Sequence, residues 1–308
     1  MINIKNQNFG LELEFTAITR EKAAKAIAQV INGDQFFTHI SSYDRRIVKD
    51  ATGRKWSICS DASVRGSRAG YGGEFVTPIC TYEDIPKVQE CIRALRKAGA
   101  KVDSTCGLHI HVDGSNHNAK SLKNLIYLFR AKQDLIYKAV GTRQERLGKW
   151  CKPIDQSLVE NVKKLRTVND ETIKDTWYDT YCPWGNRNDH YNKSRYHALN
   201  LHSMWYRGTV EFRLFEATLH AGEVRAYINL VLAMSAQAIN AKRANPEPYE
   251  NGNDKFVMRN WLRQMGFTGD EWKVVREHLM KRLEGNGAYV HDPRTYDSYN
   301  NRRAQRTA

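Results

Sequence analysis

Three short stretches of the chain alternate strictly between apolar and ionisable residues. In GLELEF, residues 10–15, Leu11, Leu13 and Phe15 share one side of an extended chain, and Glu12 and Glu14 share the other. In CGLHIHVDGS, residues 106–115, Leu108, Ile110 and Val112 stand opposite His109 and His111. In TVEFRLFEAT, residues 209–218, Val210, Phe212 and Leu214 stand opposite Glu211 and Arg213. Each stretch reads as a β-strand with one buried face. Alternation alone marks any half-exposed antiparallel strand. An ordinary solvated face, however, mixes Lys, Thr and Ser with Glu, whereas the polar positions here are Glu, Glu, His, His, Glu and Arg. Side by side in one sheet, these strands would carry three carboxylates, two imidazoles and a guanidinium on a single face.

The rest of the pattern fills in around them. Residues 20–31 read as an amphipathic helix, 34–52 are polar and undecided, and 54–61 (RKWSICSD) form a strand with Trp56 and Ile58 on one side. Gly66, Gly70, Gly72 and Gly73 mark a basic loop without the Gly-Lys-Ser/Thr of a P-loop. It leads into a strand, GEFVTP, that opens with Glu74. Apolar residues at helical spacing predict helices over 84–98, 119–140 and 222–242, the second ended by Gly141. Shorter helical pieces fall at 157–166 and 170–176. Residues 177–196 (WYDTYCPWGNRNDHYNKSRY) are dense in aromatics and basic groups, and suit either stacking on a base or packing over the core. YHALNL, 196–201, reads as a strand followed by a turn. Two more helices, 254–265 and 270–283, precede a polar tail that begins at Gly285 and carries Arg294, Arg302, Arg303 and Arg306.

Composition narrows the class. The 308 residues are 41% hydrophobic and 27% charged, a globular balance with room for a sizeable core. No apolar run reaches the ~18 residues of a membrane span, and the N-terminus lacks the pattern of a signal peptide. The six cysteines (Cys59, Cys80, Cys91, Cys106, Cys151 and Cys182) form no CxxC pair, so the reducing cytoplasm is the expected compartment. The net charge of +14 suits a polyanionic partner, whether a nucleotide, a nucleic acid or an acidic polymer.

Carboxylate and imidazole are ligands for divalent metals, and guanidinium grips phosphate. Together they are the parts of a phosphoryl-transfer site, which points to metal-dependent chemistry on ATP. Two other readings stay open. His-x-His with Glu211 can present a single Zn²⁺ or Fe²⁺ for a hydrolase or oxygenase. The basic charge and the aromatic segment also fit a nucleic-acid-binding module, although its carboxylate-rich strands would then lack a role.

Six motifs in order, GLELEF, DASV at 61–64, GGEFVTP, CGLHIHV, RYHALN and TVEFRLFEAT, resemble the amidoligase family. That family belongs to the glutamine synthetase/glutamate–cysteine ligase superfamily of carboxylate–amine ligases. The resemblance spans roughly residues 8–240. It implies an α+β fold in which a curved, mostly antiparallel sheet cups the active site and carries helices on its outer face. With no internal repeat or linker to divide the chain, a single catalytic domain is expected over 1–284, and the polar composition of 285–308 predicts a loosely ordered basic tail that the motifs do not cover. The resemblance also implies ATP-dependent joining of a small-molecule or peptide carboxylate to an amine through an acyl-phosphate. By the same analogy Glu12, Glu14, Glu74, His109 and Glu211 hold two or three Mg²⁺ or Mn²⁺ ions, and His111 contacts ATP. Arg213 and Arg195 grip the transferred phosphoryl group or the substrate carboxylate. A polyanionic acceptor, and an amidotransferase-like or ATP-grasp enzyme in the same pathway, are further expectations. Ala62 and Ala217 stand where the family often has Gly, which bears on loop geometry rather than on the ligand set.

Overall fold

The computed structural model describes residues 1–32, 44–64, 70–249 and 252–290, and the backbone of 36–38. The Gly66 end of the glycine loop and the four tail arginines lie outside these residues. In chain order the elements are β1 (Phe9–Thr19), α1 (Arg20–Val30), β2 (Phe36–Thr38), β3 (Arg46–Lys49), β4 (Lys55–Cys59), β5 (Tyr71–Val76) and α2 (Ile85–Lys97). Then come β6 (Gly107–Asp113), α3 (Ala119–Val140), α4 (Gln144–Lys149), α5 (Gln156–Lys163) and α6 (Asp170–Tyr181). The last are β7 (Leu199–Asn200), α7 (His202–Arg207), β8 (Thr209–Glu216), α8 (Ala221–Asn240), α9 (Asp254–Gln264) and α10 (Lys273–Met280). The strands form one antiparallel sheet in the order β2-β3-β4-β5-β1-β6-β8-β7, an α+β architecture.

The three alternating stretches become neighbours at the centre of this sheet. β1 pairs with β6, placing Glu12 opposite His109 and Leu11 opposite Ile110. On its other edge β1 pairs with β5, so that Glu14 faces Glu74. β6 pairs with β8, with His111 opposite Glu211 and Ile110 opposite Phe212. Side chains opposite one another in a ladder lie on the same face, so pairing alone gathers the ionisable residues on one side. The apolar side is covered by α1, α2, α3 and α8. Phe212 packs against Phe129 of α3 with ring centroids 6.2 Å apart, and Phe215 stacks on Tyr227 of α8 at 4.6 Å.

The long helices follow local signals. Asn118 caps α3, its side chain accepting from the Ser121 N–H at 3.0 Å, and Gly141 ends it in the left-handed region at φ 75°. Asn124 of α3 donates to the Ala238 and Ala241 carbonyls at the end of α8, at 3.1 and 2.9 Å. The C-terminal helices dock on α8 through Glu223, which accepts from Arg282 at 2.7 Å and also pairs with Lys281.

Several sequence readings change. The undecided stretch 34–52 contains β2 and β3. The turn expected after YHALNL is the short helix α7, and only Leu199 and Asn200 of that stretch are strand. The helix expected over 270–283 is a 3₁₀ turn, Asp270–Trp272, running into the shorter α10. α6 continues to Tyr181, so the aromatic segment begins as helix, with Trp177 and Tyr178 fully buried. In β8 the register shifts between the pairs Ile110–Phe212 and Leu108–Phe215. This bulge sets both Arg213 and Leu214 against His109 and brings Phe215 opposite Leu108, while Leu214 stays buried in the core. Neither Ala62 nor Ala217 has a positive φ, so alanine fits at both places without strain. Among the described residues no helix is long and apolar enough to cross a membrane.

Phe212 is fully buried at the point where sheet and α3 meet. Phe212→Ala is expected to cost about 3–5 kcal/mol, read as a lower urea midpoint with an unchanged slope.

Candidate active site

The polar face of the sheet holds a continuous row of ligand-type side chains. Glu12, His109, His111 and Glu211 sit at its centre. His109 Nδ1 lies 3.4 Å from Glu12 Oε2 and 3.8 Å from Glu211 Oε1, and His111 Nε2 lies 3.5 and 3.9 Å from Glu12 Oε1 and Glu211 Oε1. His111 Nε2 is buried without a hydrogen-bond partner. Its Nδ1 lies 3.0 Å from the Thr209 hydroxyl, which in turn meets Ser203 at 2.9 Å. Arg213 Nη1 donates to Glu211 Oε1, and Asn200 Nδ2 donates to Glu211 Oε2 at 2.6 Å. The sheet continues the row toward β5. Glu14 accepts from the Gly107 N–H, and the Ser63 hydroxyl lies between Asp61 and Glu14 Oε1, 3.1 Å from the latter.

Three groups in this row bring one donor atom per residue within 4.8 Å of one another: Glu12–His111–Glu211, Glu12–Glu74–His109 and Glu14–Asp61–Glu74. Glu12 and Glu74 are each shared by two of them. Oxygen and imidazole donors at this spacing suit Mg²⁺ or Mn²⁺. The structure thus brings together all five expected ligands, keeps His111 on their face as expected, and adds Asp61 to the same row.

Electrostatics support a cation here. Burial and then Asp61 push the Glu14 carboxyl up from its ordinary 4.5 to about 7. Burial, followed by Glu12, Asp61 and Glu14, raises Glu74 well above the usual carboxylate range. At the other end, burial is outweighed by Arg213 and the two histidines, which hold Glu211 at about 2. Glu12 is likewise held well below its ordinary value, because His111 and His109 beside it overcome burial. Burial and Arg213 lower His109 to about 4, whereas Glu211 and Glu12 overcome burial to raise His111. Like charges this close cannot all ionise without positive charge between them.

Two clefts open onto the row. One, of about 370 Å³, is lined by Glu14, Glu74, Arg146, Arg195 and Arg213 among others. The other, of about 400 Å³, reaches His111 and Asp113 past Pro78 and Ile79, and Ile79 is left 75% exposed. Glu12 and Arg207 line both. Arg207 Nη1 lies 3.4 Å from Glu12 Oε1, and its Nη2 lies 2.8 Å from His190 Nε2.

The expected Arg195 sits on the wall of the first cleft. It donates to the His190 carbonyl at 2.9 Å and lies over the Tyr191 and Tyr196 rings, so its bonds stay within its own loop. The aromatic segment therefore divides: Trp177 and Tyr178 are core, while His190, Tyr191, Arg195 and Tyr196 wall the cleft. His197 and His202 are buried and bonded to the Ser194 carbonyl and the Tyr178 hydroxyl, as core histidines are. Sequence reasoning passed over Arg146, Arg207, Ser63 and Asn200. Asn200 had a signal, a polar residue between Leu199 and Leu201 in a strand. Arg146 and Arg207 had none, since both lie on short helices in the least regular part of the chain.

A comparison with curated proteins gives no match. The family described as "Putative amidoligase enzyme" matches residues 5–235, the span that contains every strand of the sheet and every residue of the row. The chain belongs to this amidoligase family.

Proposed function

We propose that the chain is an ATP-dependent ligase that joins a carboxylate to an amine through an acyl-phosphate. The observation that carries this reading is the row of three ligand groups reached by two clefts that share Glu12, with Arg213 lining the first. A phosphoryl donor in one cleft and an acid in the other would meet over Glu12, which lines both. In the reaction a carboxylate oxygen of the acid attacks the terminal phosphorus and ADP leaves. The amine nitrogen then attacks the acyl carbon, phosphate leaves, and the amine gives up a proton.

The side chains have distinct parts in this. Glu12, Glu14, Glu74, His109 and Glu211, with Asp61 and His111 beside them, would hold two or three divalent cations. When bound, the cations supply charge neutralisation for the transferred phosphoryl group. Arg213, held by Glu211, offers a fixed guanidinium to the same developing charge at no reorganisation cost during the reaction. Asn200 fixes the rotamer of Glu211, and Gly107 and Ser63 fix that of Glu14. His111 faces the second cleft, where it would meet the nucleotide. A single-metal hydrolase or oxygenase leaves the Glu14–Asp61–Glu74 group idle, and a nucleic-acid module leaves the whole row idle.

ADP formation from ATP and Mg²⁺ with pooled acids and amines tests the reaction. ADP is expected only when substrate is present, with Arg213→Ala slowed by roughly 100-fold or more, as for loss of a preorganised charge. Glu12→Gln is expected to behave similarly. Absence of Mg²⁺-dependent ATP binding would refute the reading.

Cation binding should also depend on pH. Glu14 has a folded value of about 7 against an ordinary 4.5, so the cation-free protein takes up a proton there on folding. Its stability therefore declines as pH rises between those values, and Glu74 acts in the same direction. A cation needs the ionised forms, so Mg²⁺ is expected to raise the melting temperature more at about pH 8 than at about pH 6. An equal shift at both values would remove Glu14 and Glu74 from the ligand set.

A further inference from the structure

We infer that Arg146 is a second buried oxyanion-binding residue of the first cleft, working beside Arg213. The inference takes the identity of its ligand from the ligase reading, but its geometry stands apart. Arg146 belongs to the six-residue helix α4 and is only 6% exposed, yet its side chain lines the cleft. An arginine this buried is normally paired with a carboxylate. Arg146 instead meets the Arg213 carbonyl at 3.2 Å and His109 Nε2 at 3.4 Å, and its Nε has no partner. Among the described residues no carboxylate forms an ion pair with it. Arg213 repeats the pattern on its own Nε, which is also buried and unpartnered. Two guanidinium groups lining the same cleft, one of them without a carboxylate partner among the described residues, form a receptor for the oxygens of a phosphoryl group or a carboxylate.

A second observation shows that the place is built for the guanidinium. A Cβ at Gly107 would stand 2.1 Å from Arg146 Nη2 and 2.7 Å from its Cζ. Only a residue without a side chain leaves that room. This accounts for the glycine that opens the Gly-Leu-His-Ile-His strand, whose φ is not in the left-handed region. The same Gly107 donates its N–H to Glu14. One residue thereby positions both an acidic and a basic member of the cleft.

The ligand is an oxyanion from one of two sources, the phosphoryl group of the nucleotide or the carboxylate of the acid. The test measures the rise in melting temperature with increasing inorganic phosphate and, separately, malonate, both with Mg²⁺. Wild type is compared with Arg146→Gln, Arg146→Lys and Gly107→Ala. Gly107→Ala keeps the arginine and displaces its guanidinium, so it serves where Arg146→Gln fails to fold. The concentration giving the half-maximal shift is expected to rise about tenfold in Arg146→Gln and Gly107→Ala, and less in Arg146→Lys, which keeps the charge without the fork. Loss of the phosphate response assigns Arg146 to the phosphoryl group; loss of the malonate response assigns it to the acid. Unchanged midpoints for both anions, or no response in the wild type, overturn the inference and leave Arg146 as a brace on the Arg213 carbonyl. The readout needs no turnover. Failure to form ADP would count against the ligase reading alone.

Discussion

The organising constraint of this protein is the crowding of Glu12, Glu14, Asp61, Glu74 and Glu211 on one face of a sheet. Their repulsion is not shared evenly. At the β8 end His111, His109 and Arg213 stand close enough to keep Glu211 and Glu12 ionised. At the β5 end burial and the neighbouring carboxylates outweigh the pull of Arg146 on Glu14 and of Arg213 on Glu74, and both hold protons at higher pH than free carboxylates do. The row is thus graded from self-neutralised to short of positive charge. The need for a cation is greatest at Glu14, Asp61 and Glu74, and least where Arg213 already pairs with Glu211. Buried charges that lack counter-charge cost stability, so the site is held in place by a core that does not depend on it.

That core is the other face of the same strands. Leu11, Leu13, Ile110 and Phe212 bury against α1, α2, α3 and α8, and alternation then leaves the ionisable side chains no choice of side. Packing on one face sets geometry on the other. The donor spacings in the row follow from strand separation and register, with side-chain bonds such as Asn200 to Glu211 supplying the fine orientation.

The sequence made the centre of this arrangement legible, because a period of two in charged and apolar residues has few explanations. Glu12, Glu14, His109, His111, Glu211 and Arg213 could be placed on one face from pattern alone, and the longest helices from their apolar stripes and from Gly141. Legibility failed where local pattern carries no information about distant contacts. Arg146 and Arg207 sit on six-residue helices too short to show periodicity, and only the fold brings them to the row. The bulge in β8 broke an alternation that reads as perfect, since a register shift is set by the partner strand. The aromatic segment mixed core residues such as Trp177 with cleft residues such as Tyr196, and composition gives both the same weight.

The β8 bulge has a consequence for how such a chain tolerates changes in length. In a strand with two distinct faces, losing or gaining one residue turns every later side chain over. Here the extra residue is already present. Deleting Leu214 would let Phe215 follow Phe212 at regular spacing, still opposite Leu108, with Arg213 still opposite His109. The two faces would keep their residues through a change that elsewhere in these strands would exchange them, at the cost of one buried leucine. The bulge is therefore the place in this sheet where the loss of one residue leaves the facing of the others unchanged, directly beside the Arg213 guanidinium.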